Sequence, residues 1–153
     1  VLAMPYWIQN DEFVPVGHYG YPTYPDGQIR TNIEEWSHFM SVFLNNGEYK
    51  EHRLLKQETL DEFLSIQYPH TDKYQAICWH YNEFYPSMAR VFLGELPAHT
   101  GGDEGVVTIT VFDPENSRAV IIFINGIKNG ISAVYTIYWQ ILKALVEEAG
   151  LHR

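Results

Sequence analysis

The amino-acid sequence predicts an α/β fold of the α+β type, in which a small antiparallel sheet of three or four strands carries a C-terminal helix. Apolar residues recur at helical spacing in residues 32–66 and 132–149, whereas alternating or continuous apolar runs occur between residues 74 and 125. The composition changes near residue 70. We therefore expect an irregular and helical segment, 1–70, and then a sheet with its helix, 71–153, in one compact unit.

Two helices are expected in the first half of the chain. Residues 1–31 are rich in proline and glycine and predict an irregular segment. Residues Thr31 to Glu34 match a capping box, in which Glu34 reaches back to the Thr31 amide, so a helix should begin here and end at Gly47. A shorter helix is expected over residues 57–66. The apolar positions of the first helix are Trp36, Phe39, Met40, Phe43 and Leu44, and those of the second are Leu60, Phe63 and Leu64.

The second half predicts four strands. Residues 77–81 alternate between apolar and polar side chains, and residues 89–93 form a second candidate. Residues 105–112 are rich in Val, Thr and Ile. Residues 119–125 are apolar on both faces, which is typical of a strand covered above and below.

The connections and the last helix follow from turn formers and helical spacing. Residues 113–116 read Asp-Pro-Glu-Asn and predict a turn, and residues 126–130 predict a loop. Ser132 is the expected cap of a final helix, and Gly150 is its expected end. The apolar stripe of that helix comprises Val134, Tyr135, Tyr138, Ile141, Leu142, Leu145 and Val146.

Composition narrows the classes of function. The net charge of −9 without a basic cluster disfavours nucleic-acid binding, and no apolar run reaches the ~18 residues of a membrane span. One cysteine, Cys78, excludes an internal disulfide and leaves the compartment open. The seven histidines form no close pair. Cys78 and His80 would share one strand face, but two ligands do not make a zinc site, so we expect no metal and no cofactor.

One motif points to a family. His99-Thr100-Gly101-Gly102, before a strand, resembles the third active-site motif of the serine β-lactamase and penicillin-binding-protein superfamily. Residues 24–31 resemble the family's Gly-Gly-Leu-x-Ser-Thr stretch, with Gln28 in place of the second glycine. Further similar segments, in the family's order, are Leu54 to Thr59, Phe112 to Glu115, and Ile124-Asn125-Gly126.

The resemblance implies a partial β-lactamase or transpeptidase fold and a role for each residue of the motif. It implies that His99 polarises the substrate, that Thr100 contacts the substrate carboxylate, and that the Gly102 N–H is one oxyanion donor. Gly101 and Gly102 would let the substrate approach the strand backbone. The alternative interpretation is a glycine-rich turn before a strand, with His99 an ordinary surface histidine. Asp26, Asp103 and Glu104 are expected to be solvated loop acids.

The nucleophile of the family is missing. No serine has a lysine three residues later, as the Ser-x-x-Lys motif requires, and Ser87 is followed instead by Arg90, which is a poor base. The Tyr-x-Asn motif is missing as well, because Tyr81 and Asn82 are adjacent. The resemblance therefore implies the C-terminal part, or a diverged relative, of a serine hydrolase that is inactive alone.

Two hypotheses about function follow. In the first, the chain is part of an amide or ester hydrolase with a small-molecule or peptide-like substrate, and a missing N-terminal segment or another chain supplies the serine. In the second, it is a non-catalytic module that forms a homo-oligomer through the edge of strand 119–125 and binds a small ligand near His99. The dimer is the favoured remedy for that edge, because the prolines and glycines of residues 5–22 make a poor strand partner.

Overall fold

The computed structural model describes residues 2–22, 27–81, 95–128 and 131–151, the side chains of 131–137 excepted. It shows a mixed fold of the α+β class with three helices and small sheets in these residues. The helices are α1 (Ile33–Leu44), α2 (Gln57–Leu64) and α3 (Ile131–Ala149). The strands are β1 (Tyr6–Gln9), β2 (Glu12–Pro15), β3 (Glu48–Tyr49), β4 (His52–Arg53), β5 (Ala98–Asp103), β6 (Val106–Asp113), β7 (Arg118–Asn125) and β8 (Ile127–Lys128).

The central sheet is antiparallel with the order β5-β6-β7. Its register pairs Thr100 with Ile109, and Ile109 with Ile122. The turn after β6 is closed by Asp113, whose Oδ1 accepts hydrogen bonds from the amides of Glu115 at 3.0 Å and Asn116 at 3.3 Å. The strands predicted at 105–112 and 119–125, and the turn between them, are thereby confirmed.

Both faces of this sheet are covered. On one face, α3 packs against alternate residues of all three strands, and on the other, α1 and α2 cover the remaining residues. This packing is the reason that β7 is apolar on both sides, as the sequence indicated. The buried residues of the α3 face are Leu96, Ala98, Ile109, Val111, Val120, Ile122, Tyr138, Leu142, Val146 and Leu151. Those of the opposite face are Met40, Phe43, Leu60, Ala76, Trp79 and Phe112.

The start of α1 and the start of α3 differ from the prediction, whereas the end of α3 agrees with it. α1 is capped by Asn32, whose side-chain oxygen accepts a hydrogen bond from the Glu35 amide at 2.9 Å, so the predicted capping box lies one residue too early. α3 already includes Ser132, which therefore is not its cap. Its other end is confirmed, because Gly150 has a φ of +65° there. The amide of Leu151 then reaches the Val146 carbonyl at 2.9 Å.

Three predicted elements are wrong because long-range pairing decides them. The irregular segment 1–31 contains the β1–β2 hairpin, and the loop 126–130 contains β8, which pairs in parallel with β1 through Trp7 and Ile127. Residues 77–81 are not a strand but a turn in which Cys78 has a φ of +61°. α2 ends at Leu64, two residues earlier than expected. The strand expected at 89–93 lies outside the described residues.

No helix in the described residues is both long and apolar enough to cross a membrane.

Candidate functional site

The outer edge of β5 is the centre of the candidate site. His80 donates a backbone hydrogen bond to the Ala98 carbonyl at 2.9 Å and accepts one from the Ala98 amide at 3.3 Å, on the side away from β6. Backbone groups of a strand point alternately to its two edges. The N–H groups of Thr100 and Gly102 therefore point to the same outer edge as that of Ala98. Within the described ranges, no strand pairs with this edge beyond Ala98.

The two glycines of the motif differ in their surroundings. A Cβ at Gly101 would lie 2.5 Å from Oγ1 of Thr108, its partner on β6, so only glycine fits there. A Cβ at Gly102 would meet nothing within 4 Å, and this residue is exposed. The backbone at Gly102 is consequently open to an approaching molecule.

His99 is exposed, and its ring is held in one orientation. Its Nδ1 lies 3.0 Å from the carbonyl oxygen of Cys78, which can only accept, so Nδ1 carries the proton and donates it. The edge of the Trp79 ring system meets the imidazole at 90°, with centroids 6.4 Å apart. In the neutral ring Nε2 therefore keeps its lone pair and can accept a proton or a hydrogen bond.

The motif residues are divided between the two faces of β5. Thr100 is half-buried and lies with Gly102 on the face that carries α3, while His99 and Gly101 lie on the opposite face. The two outward amides nevertheless share one edge, about 7 Å apart along the strand. The motif thus presents two amides at the edge and an imidazole above one face.

Asp103, at the end of β5, is not the solvated loop acid that the sequence predicted. Its carboxylate accepts hydrogen bonds from the hydroxyls of Tyr19 and Tyr21 and, at 2.8 Å, from the Glu104 amide. Burial pushes the pKa of Asp103 upward, but the bonds from Tyr21, the Glu104 amide and Tyr19 outweigh it, so its pKa lies below the ordinary value. The hydrogen bond to Asp103 likewise raises the pKa of Tyr21. We call these three side chains the Asp103 cluster.

The Asp103 cluster fastens an N-terminal loop beside the motif. The Tyr19 carbonyl accepts hydrogen bonds from Arg30 Nη2 at 2.8 Å and from Gln28 Nε2 at 3.5 Å, which close the loop on itself. The sequence did not predict this cluster. Tyr19 and Asp103 are 84 positions apart, and no sequence motif contains the tyrosines.

Glu104 is an exposed acid in a turn, as the sequence predicted, but its side chain also has a structural role. Its carboxylate accepts a hydrogen bond from Trp7 Nε1 at 2.7 Å and so ties β1 to the turn between β5 and β6. Asp26 lies outside the described residues.

A pair formed by Asp72 and His80 supports the segment that pairs with β5. His80 Nε2 lies 3.2 Å from Oδ2 of Asp72, and Asp72 Oδ1 accepts a hydrogen bond from the Tyr74 amide at 2.9 Å. The bond from the Tyr74 amide, followed by that from His80, lowers the pKa of Asp72. This pair therefore holds the turn from which His80 reaches Ala98.

Among the residues that the structure describes, no three His, Cys, Asp or Glu side chains are grouped so that they could hold a metal ion.

Comparison of the chain with models of protein families, with curated proteins and with solved structures found no match.

Proposed function

We propose that this chain provides the substrate-binding strand of a β-lactamase-like serine hydrolase, acting on an amide or ester bond. The observation that carries the proposal is the exposed Gly102, whose amide points to the outer edge of β5, near the exposed His99 on the same strand. The left-handed backbone of Gln28 adds support, because its φ of +73° is one that favours glycine, the residue of the family at that position.

Each group has a role in this proposal. The Gly102 N–H donates to the carbonyl oxygen of the substrate, and a donor of this kind stabilises the developing oxyanion by about 3 kcal/mol. The Thr100 hydroxyl contacts the substrate carboxylate, and the exposed His99 at the start of β5 is the polarising group beside it. A serine and its base come from another segment or chain, since this sequence contains no Ser-x-x-Lys. The chain alone then binds a substrate without hydrolysing it.

A titration of the ¹⁵N-labelled chain with benzylpenicillin, followed by amide chemical shifts, tests the proposal. We expect the largest changes in amide chemical shift at Thr100 and Gly102. The dissociation constant should be several-fold larger for His99→Ala. His52→Ala is the matched control, since His52 is an exposed histidine on β4. Shifts that are absent from β5, or that are unchanged in His99→Ala, would contradict the proposal.

A second candidate function, dimerisation, rests on the other edge of the sheet. Within the described part of the chain, β7 pairs with β6 only, and the N-terminal hairpin pairs with β8 instead. The hydrogen-bonded pairs alternate along β6, so the backbone N–H groups of Ala119, Ile121 and Phe123 point to the open edge of β7. A two-fold copy of β7 would satisfy these groups and continue the sheet.

A further inference from the structure

We propose that the N-terminal segment 6–21 fixes the direction of the Gly102 amide, and that Trp7, Tyr19 and Tyr21 are the positioning residues through which it acts. This inference rests on the proposed function of the β5 edge, in which the Gly102 N–H is the oxyanion donor. It adds residues that the motif does not contain and that act on the ligand only through the backbone of β5.

Gly102 does not by itself fix the direction of its amide. It follows another glycine, and two consecutive glycines have more accessible backbone conformations than residues with side chains. A Cβ at Gly102 would meet nothing within 4 Å, and in the described ranges no strand pairs with the outer edge at this point. Apart from the ladder with β6, the direction of this N–H therefore depends on what holds the residues that follow.

The two residues after this glycine are held by side chains of the N-terminal segment. The Asp103 carboxylate accepts hydrogen bonds from the hydroxyls of Tyr19 and Tyr21. The Glu104 carboxylate accepts one from Trp7 Nε1 at 2.7 Å. Three donors from one segment, remote in sequence, thus hold consecutive residues at the end of β5.

Strand β1 is itself fixed against the turn between β5 and β6. A Cβ at Gly105, whose φ is +72°, would overlap the Tyr6 carbonyl oxygen, so the backbone of β1 lies directly against this turn. Asn125, at the end of β7, accepts a hydrogen bond from the Tyr6 amide at 3.0 Å and donates one to the Met4 carbonyl at 2.7 Å. The Trp7 donor therefore comes from a strand that the central sheet holds in place.

The two tyrosines are held by contacts of their own. Their rings are half-buried and lie against each other, with centroids 5.6 Å apart, and the Tyr19 carbonyl accepts a hydrogen bond from Arg30 Nη2 at 2.8 Å. The donors to Asp103 are therefore ordered before any ligand arrives. A backbone amide that is already held in its binding direction loses little conformational entropy when a ligand accepts its hydrogen bond.

Variants that remove the donors but keep the rings test the inference. The double variant Tyr19→Phe/Tyr21→Phe removes both hydroxyls, and Trp7→Phe removes the indole N–H. Asp11→Asn is the matched control, because it weakens the exposed 3.0 Å ion pair with Lys128 at the turn of the same N-terminal hairpin.

The first measurement is the ¹⁵N order parameter of the Gly102 amide. In the unaltered chain and in Asp11→Asn we expect about 0.85, the value of rigid backbone. In the double variant and in Trp7→Phe it should fall toward the value of about 0.6 that marks flexible segments. The order parameter of Ile122, in the core of the sheet, should not change in any of them, which distinguishes a local role from a general loss of structure.

The second measurement is the affinity for benzylpenicillin. When a binding-competent conformation is populated for only a fraction of the time, the apparent dissociation constant rises by the inverse of that fraction. We expect a dissociation constant about threefold to fivefold larger for Tyr19→Phe/Tyr21→Phe, and a change of less than about twofold for Asp11→Asn.

The outcomes separate this inference from the function on which it rests. If benzylpenicillin does not shift the Gly102 amide of the unaltered chain, the proposed binding edge is wrong, whereas the order parameters still decide whether the N-terminal segment fixes this amide. If every folded variant keeps the order parameter of Gly102, or loses order equally at Ile122, the inference is wrong. Trp7→Phe removes only one exposed hydrogen bond, so it keeps the test valid where the double variant does not fold.

Discussion

His80 and Ala98 exchange two backbone hydrogen bonds, at 2.9 and 3.3 Å, across the outer edge of β5. This pair shows the direction of every later amide in the strand, because backbone groups alternate from one residue to the next. Had His80 bonded to His99 instead, the amides of His99 and Gly101 would face outward and that of Gly102 would be used in the sheet. The amide of Gly102, and not that of Gly101, consequently faces the outer edge of β5.

Replacing Gly102 by proline should remove the outward N–H while leaving the β5–β6 hydrogen bonds intact. Proline is tolerated where the lost donor faces away from the sheet, so we expect a stability change within about 1 kcal/mol and loss of the benzylpenicillin-induced shifts. Gly101→Pro is the contrasting variant. It removes a ladder bond and crowds Thr108 Oγ1, so urea denaturation should show a loss of about 2 kcal/mol or more. Unchanged ligand binding by Gly102→Pro would exclude this amide as the donor.

The chain alone should not hydrolyse a chromogenic β-lactam or a short-chain nitrophenyl ester above the buffer rate. Loss of nucleophile and base costs on the order of 10⁶-fold in a serine protease, and Ser-x-x-Lys is missing here. Spectrophotometric assays with and without a serine-directed inhibitor check this. Turnover that the inhibitor abolishes would show that a serine of this chain is active.

The chain should form a dimer through β7. Light scattering at several concentrations should give twice the 17.8 kDa mass of the chain. Phe123→Pro removes an edge N–H without breaking the β6 pairing and should give a monomer, whereas Phe123→Leu, which keeps the donor, should stay dimeric. A mass of 17.8 kDa at all concentrations would rule out the dimer.

The Asp103 cluster should make the free energy of unfolding depend on pH in the acidic range. The pKa of Asp103 is lower in the folded chain than in the unfolded one, so its contribution is complete above the unfolded value of about 3.9 and is lost as the pH falls below it. Asp103→Asn should therefore lower stability by about 1 kcal/mol at pH 7, with a difference that shrinks below about pH 4. Urea midpoints of both chains between pH 7 and pH 3 measure this. Glu51→Gln, at an exposed turn, is the matched control.

The cap of α1 can be tested directly. Asn32→Ala removes the oxygen that binds the Glu35 amide and should cost about 1 kcal/mol. Thr31→Ala, at the position that the capping box favoured, loses exposed hydrogen bonds to the Asn32 carbonyl and the Glu35 carboxylate and should cost less than about 0.5 kcal/mol. Thermal or urea unfolding of the two variants compares them. An equal loss in both would mean that the cap is shared.

Within the candidate site, the sequence predicted the strand that follows the motif, but it did not predict that residues 98–103 themselves form the strand β5. The residues His99 to Gly102 and the strand after them could be recognised from the sequence because they are contiguous. Which of them face the edge, which lie on each face, and which side chains surround them depend on His80, Tyr19 and Tyr21, all of which come from distant parts of the chain.

The sequence by itself determined β6, β7, the turn at Asp113 and the glycine end of α3. In each of these, a repeat of apolar residues or a local turn-forming residue within a short segment predicts the structure of that segment. The tertiary structure alone decided the β1–β8 pairing, the turn at Cys78 and the hydrogen bonds of Asp103. Each of these depends on a backbone or side-chain partner that is remote in sequence, and a hydrogen bond between remote residues leaves no period in the chain for a sequence pattern to reveal.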